Sequence, residues 1–156
     1  MSLQKTVAVG VVAVAAIGIV GPSAATASVG KAAARVRTGG TIGAAERARL
    51  RSIALRGAHL LGEAHPADLE AVRTTYAKYR QRFGNPPLRE RAQLNRAGSL
   101  YLIEMRGHFR APTGRINGRT FSYDEIFVNA KTNARISGLV SNRRQPLAAL
   151  GPVARL

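Results

Sequence analysis

The sequence predicts an α+β domain: two helices packed on a small antiparallel sheet of about three strands, preceded by a signal peptide. Three observations carry this expectation. An apolar run from Thr6 to Val20 follows a lone lysine, Lys5. Two segments between residues 44 and 84 repeat apolar side chains at helical spacing. Beyond residue 99, runs of strand-forming residues are separated by turn signals.

The leader comes first in the chain. Gly21-Pro22 breaks the apolar run, and Ala25-Thr26-Ala27 offers small residues where a signal peptidase cuts. The run alone is shorter than the roughly 20 residues that cross a bilayer core as a helix. Adding Gly21 to Ala27 makes it long enough, so an uncleaved N-terminal anchor is the rival reading. Cleavage after Ala27 gives a secreted or extracytoplasmic protein. Retention gives one anchored to the membrane by residues 6–27. No second apolar run exists.

The totals then bound the partners. Twenty-four Lys and Arg face eight Asp and Glu, a formal net charge of +16. Loss of residues 1–27 removes only Lys5 from that balance. Such an excess favours an anionic surface, an anionic polymer or an acidic protein outside the cell, with nucleic acid as the other class. An Ala-, Arg- and Gly-rich composition is also what a GC-rich coding sequence yields. The absence of cysteine excludes disulfides, zinc–thiolate sites, thiol nucleophiles and lipid anchoring through an N-terminal Cys.

Residues 28–43 read as a basic flexible linker, and residues 44–141 as one α+β domain. Ala44 to Leu61 predicts a helix, with Leu50, Ile53, Ala54, Gly57 and Leu61 on one stripe and Arg49, Ser52, Arg56 and His59 opposite. Gly57 weakens such a helix by up to about 1 kcal/mol. His65-Pro66 opens a second helix, in which Leu69, Val72, Tyr76, Tyr79 and Phe83 repeat at 3, 4, 3, 4. The segment Val72-Arg73-Thr74-Thr75 is β-prone, which leaves residues 69–75 open between helix and strand. Gly84 and Asn85-Pro86-Pro87 stop this element.

Leu88 to Gly98 is a polar connection with room for a helical turn around residues 89–95. Leu100 to Phe109 is the clearest strand: Tyr101, Ile103, Met105 and Phe109 point to a core face, and Leu102, Glu104, Arg106 and His108 to a face at least half solvated. Ala111 to Arg119 is a basic loop containing the tight-turn pair Asn117-Gly118. Tyr123 to Ala130 and Arg135 to Val140 are strands joined by Lys131-Thr132-Asn133. Residues 142–156 read as a basic flexible tail. All eight aromatic residues lie between Tyr76 and Phe127, which places the folding nucleus where the second helix meets the strands.

The run Tyr101-Leu102-Ile103-Glu104-Met105-Arg106-Gly107-His108-Phe109, followed by Val128-Asn129-Ala130-Lys131-Thr132-Asn133-Ala134-Arg135-Ile136, resembles small exported actinobacterial proteins of unknown function. Those are similar to PepSY-type or cystatin-like modules, in which a strand, a turn of the Asp-Ala-Lys-Thr-Gly kind and another strand recur. Asn129 here stands in place of the acid, and Asn133 in place of the glycine. The resemblance covers about 70 residues. It implies a secreted binding or inhibitory module and carries no catalytic residue across.

Four constellations could carry chemistry. Glu104, Arg106 and His108 share one strand face and could serve proton transfer; a solvated face with a weak surface ion pair is the plainer reading. His59, His65 and His108 have no metal-ligand spacing, so no metal site is expected. Arg106, Arg110, Arg115 and Arg119 line a glycine-containing segment with no acid between them, a candidate anion cradle. It is not a nucleotide P-loop, because Gly114 and Gly118 are too close and the lysine is missing. Tyr101, Phe109 and Phe127 invite comparison with single-strand stacking platforms, but two of them fall on the core face. The expectation is an exported, non-enzymatic binding module with no cofactor. The alternatives are a membrane-anchored or cationic nucleic-acid binder and, more remotely, an enzyme using the Glu104/His108 face.

Overall fold

The computed structural model describes residues 41–111 and 118–156. The leader or anchor (1–27), most of the linker, Arg115 and Asn117 lie outside the described residues. The elements run α1 (Ala44–Leu60), β1 (Ala67–Thr74), α2 (Tyr76–Phe83), α3 (Arg91–Ala97), β2 (Leu100–Arg110), β3 (Thr120–Asn129), β4 (Arg135–Ser141) and β5 (Val153–Arg155). A short 3-10 turn, Leu147–Ala149, precedes β5. The class is α+β, but the expected count of two helices and about three strands is wrong. There are three helices and a five-stranded antiparallel sheet of order β4-β3-β2-β1-β5.

The first helix forms where the apolar stripe places it. Leu50, Ala54, Gly57 and Ala58 are buried against the sheet. Glu46 reaches back to accept from the Gly43 amide at 3.3 Å, satisfying one of the orphan donors at the helix start. Gly57 has a packing reason to be glycine: a Cβ there would come within 2.6 Å of Ile126 Cδ1 and 3.2 Å of Arg135 Nη1.

The second predicted helix divides in two. Its first half is β1 and its second half is α2, with Thr75 between them. Thr75 Oγ1 accepts from the Lys78 amide at 3.2 Å and so caps the helix. The 3, 4, 3, 4 spacing misleads because β1 is buried on both faces. Leu69 and Ala71 lie in the cluster under α1, and Val72 in the cluster on the other side. The β-branched run is the part of the signal that the structure follows. Asp68, at φ 49°, occupies an irregularity in the β1–β2 register between Ala67 and Glu70.

Both faces of the sheet are covered. Leu50, Ala54 and Ala58 of α1 pack with Ile103, Met105, Phe109 and Ile126. On the opposite face Tyr76, Tyr79, Leu88 and Leu94 pack with Val72, Leu102 and Phe127. Tyr79 meets Phe127 edge-on, at 5.1 Å between centroids. The β2 face expected to be half solvated is therefore buried at Leu102 and Glu104, and only Arg106 and His108 emerge from it. Two partner layers, one per face, explain the burial pattern.

Residues 142–156, expected as a flexible tail, supply the fifth strand. Leu147 and Leu150 sit in the second cluster, and Val153, Ala154 and Arg155 pair with Val72, Ala71 and Glu70. The Leu156 amide donates to Leu69 O at 3.0 Å, and Lys78 Nζ donates to Leu150 O at 2.7 Å. The segment is a strap across the sheet.

Candidate functional site

The candidate anion cradle is built on the β2–β3 hairpin. Phe109 pairs with Phe121 and Arg110 with Thr120. The Ala111 amide donates to Arg119 O at 3.2 Å, closing the ladder, and the Arg110 amide donates to Leu61 O at 2.8 Å, tying the hairpin root to the end of α1. Arg110 and Arg119 are exposed. Gly118, at φ 78°, makes the turn into β3 that a side chain would disfavour. Arg106 belongs elsewhere: its Nε lies 2.9 Å from Asp68 Oδ2. Among the described residues, the four expected arginines thus reduce to two unengaged ones, Arg110 and Arg119, with Arg115 outside that set.

The polar strand face does not assemble as expected. Glu104, 2 % exposed, accepts from the Gln145 amide at 2.7 Å and faces Arg144 Nε at 3.4 Å. His108 points into solvent, and its amide donates to Glu63 Oε2 at 2.6 Å. A register irregularity between Arg106 and Phe109 interrupts the alternation that would have kept Glu104 and His108 in line. The backbone amides of His108 and His65 hold the Glu63 carboxyl below its usual range. Glu104 is pushed up by burial, against the pull of the Gln145 amide and Arg144. The two groups serve separate local contacts.

The strand face instead contributes to a row of three carboxylates that sequence reasoning missed. In register, Glu104 lies between Glu70 on β1 and Glu125 on β3. Arg144 of the strap bridges Glu70 at 3.0 Å and Glu104 at 3.4 Å. Tyr79 Oη donates to Glu125 Oε2 at 3.1 Å, while Glu125 Oε1 has no hydrogen-bond partner among the described residues. Burial pushes the Glu125 carboxyl up to about 7; the Tyr79 hydrogen bond opposes this, and the Glu104 and Asp124 charges add to it. On the α1 face Asp124 is also buried without partners among the described residues, and desolvation pushes it up to about 7, with Arg135 pulling the other way. The signal that could have revealed this row was strand register: Glu70, Glu104 and Glu125 share a face only once β1 is read as a strand.

Among the described residues, no group of three or more histidine, aspartate or glutamate side chains is arranged to hold a metal ion. An open groove of about 520 Å³ lies between the end of β1, the start of α2 and the strap, lined in part by Arg73, Lys78 and Leu150. Its cations are engaged by the protein: Arg73 with Ser99 Oγ at 3.1 Å and Lys78 with Leu150 O.

The charges divide in a consistent way. Every acid is committed within the fold. Glu46 accepts from Tyr101 Oη, Glu63 from two backbone amides, Glu90 from Ser137 Oγ and Glu125 from Tyr79 Oη. Asp68, Glu70 and Glu104 meet arginines, and Asp124 is buried. Of the 19 lysines and arginines among the described residues, only Arg106 and Arg144 lie within ion-pair distance of an Asp or Glu carboxylate, and Arg51 Nη1 donates to Leu156 O at 2.6 Å. No family model matches the chain, and neither the curated proteins nor the solved structures supply a match to it.

Proposed function

We propose that this chain is an exported, non-catalytic binding module that engages a polyanionic partner through the β2–β3 hairpin. The observation that carries the reading is the division of charge. Three of the eight acids pair with Arg106 and Arg144 and the other five are held by hydrogen bonds or burial, so most of the 19 described cations stand without a partner side-chain carboxylate and the +16 chain projects a positive field into solvent. Arg110 and Arg119 stand at the hairpin root, where a guanidinium can offer paired donors to phosphate, sulfate or carboxylate oxygens. The layout of residues 1–27 supports export. The similarity to PepSY-type and cystatin-like modules supports a binding or inhibitory role. Glu104 and His108 make separate contacts, which gives the enzymatic alternative no shared site.

The test is binding of the full chain to heparin as a soluble polyanion, titrated with salt. Affinity should fall steeply between about 50 and about 200 mM salt, as it does when several cationic groups displace counterions from the polymer. Arg110→Ala with Arg119→Ala should weaken binding and lower the salt slope by about one for each arginine that meets an anionic group. Salt-insensitive binding overturns the proposal. Tighter binding to duplex DNA than to heparin at the same salt favours the nucleic-acid alternative. A species beginning at Ser28 in culture medium checks export, and full-length protein in membranes supports an anchor.

A further inference from the structure

We propose that the outward face of α1, continuous with the root of the β2–β3 hairpin, docks on an anionic lipid bilayer. This rests on the polyanion-binding reading and names its partner. Two large apolar side chains are exposed on α1, Leu60 at 70 % and Leu55 at 38 %. Arg49, Arg56 and Leu60 follow one another at spacings of seven and four residues, so they share a helical stripe. Arg56 Nη1 donates to Ser52 Oγ at 2.6 Å and meets no carboxylate among the described residues. The next residue after Leu60 is Leu61, whose carbonyl accepts from the Arg110 amide at 2.8 Å. The exposed leucine thus stands one residue from the backbone contact that ties the end of α1 to the hairpin strand carrying Arg110.

Of the acids nearest this face, Glu46 is lowered by the Tyr101 hydrogen bond and, in smaller part, by the charge of nearby Arg49, whereas Arg56 meets no carboxylate among the described residues. Glu63 is turned toward the His108 and His65 amides, and Glu46 toward Tyr101 Oη. A single exposed leucine signifies little. Apolar side chains set among exposed arginines are different, because they ask two things of one partner. A soluble polyanion satisfies the arginines and leaves Leu55 and Leu60 in water. A bilayer offers anionic headgroups at the depth of the guanidinium groups and an acyl boundary just beneath, where a leucine can enter.

The chain contains no tryptophan, so Leu60→Trp in the full chain places one reporter at the proposed contact, and Leu55→Trp, about 140° further round α1, reports how far the contact extends across the outward face. Each variant is titrated with phosphatidylglycerol-containing vesicles, with phosphatidylcholine vesicles and with heparin. The expected result is a blue-shifted emission on the anionic vesicles only, reversed by salt and abolished when Arg49→Ala and Arg56→Ala are added. Phosphatidylcholine vesicles control for insertion of residues 6–20, which does not depend on headgroup charge. An equal shift on phosphatidylcholine overturns the proposal. Heparin binding with no shift of either reporter on anionic vesicles also overturns it, while leaving the polyanion reading standing. Failure to bind heparin and anionic vesicles alike removes both.

Discussion

The two faces of the sheet are made by alternate residues of the same strands, yet they are stabilised by different means. Under α1, β2 presents Tyr101, Ile103, Met105 and Phe109 to the aliphatic stripe of the helix. On the other side the same strand presents Leu100, Leu102 and then Glu104, which meets Glu70, Glu125 and the strap arginine Arg144. Apolar burial dominates the first face. On the second, burial is interrupted by carboxylates that need Tyr79, Gln145 and Arg144 to hold them. The lesson is that period-two alternation marks a change of face. Whether the second face is wet depends on what the rest of the chain lays over it.

The largest expected effect lies on the apolar face. Phe109 is fully buried, and Phe109→Ala should cost about 3–5 kcal/mol in urea unfolding. Its cost should be nearly the same at pH 5 and pH 8, because the ring holds no carboxylate in place. A cost below about 1 kcal/mol would contradict its place under α1.

The second effect concerns the protons held by one buried carboxyl on each face. Burial pushes Glu125 up to about 7 from an ordinary 4.5, so the folded chain holds that proton more tightly than the unfolded one. Stability then falls as pH rises from about 5 to about 7 and levels off above, because over that window the folded state binds more protons. At about 1.4 kcal/mol per tenfold change in proton affinity, the loss reaches about 3 kcal/mol. Below about pH 4.5 the sign reverses: the lowered Glu46 and Glu63 carboxyls then take up protons, and their contribution disappears. Urea midpoints should therefore peak near pH 5. Glu125→Gln should flatten the decline toward pH 8, and its difference from the parent chain isolates this carboxyl from the three histidines. Asp124→Asn applies the same test beneath α1, where burial likewise pushes the carboxyl up to about 7. An unchanged slope in both variants would break the comparison.

Legibility in the sequence follows from how many partners an element has. The first helix was readable because one stripe faces one sheet. The β2 and β3 strands were readable because turn residues bound them and their alternation is clean through Tyr101–Met105. The β1 strand was not, because burial on two sides imitates a helical stripe, and only Val72-Arg73-Thr74-Thr75 pointed the other way. The β5 strand was illegible: Val153-Ala154-Arg155 is too short for any period and sits in a basic segment. Of the candidate site, Arg106, Arg110 and Arg119 are all exposed, and the ion pair that engages Arg106 was not legible because Asp68 becomes its neighbour only through the β1–β2 pairing.

Gly57 gives the case where helix propensity and packing predict opposite signs. Propensity alone predicts that Gly57→Ala stabilises α1 by up to about 1 kcal/mol. The packed sheet predicts the reverse, because the new Cβ would fall 2.6 Å from Ile126 Cδ1, in a side chain with no exposed surface. Arg135 Nη1 would lie at 3.2 Å from it, at the free end of an exposed side chain that can move aside, so the buried Ile126 sets the cost. Overpacking of this kind costs about 1–3 kcal/mol, so a net loss of about 1–2 kcal/mol is expected in urea unfolding. A gain in stability would mean that α1 stands further from β3 and β4 than the structure places it.

The smallest effect concerns Arg106, the arginine that leaves the second face for solvent. Its ion pair with Asp68 is 2.9 Å long, but both side chains are more than half exposed. Water screens such a pair, and Arg106→Ala should cost no more than about 1 kcal/mol, vanishing at high salt. Asp68 adds a backbone element to the expectation. It holds φ 49° at the register irregularity, a conformation that aspartate tolerates and that does not depend on Arg106. Loss of the arginine should therefore leave the β1–β2 register intact, with unchanged amide exchange at Ala71 and Val72. Because Arg106 already has its carboxylate, its removal should also weaken heparin binding less than removal of Arg110. Equal losses from the two would show that Asp68 does not withdraw Arg106 from the anion-binding set, and that an arginine's neighbours within the fold do not decide which cations a polyanion can use.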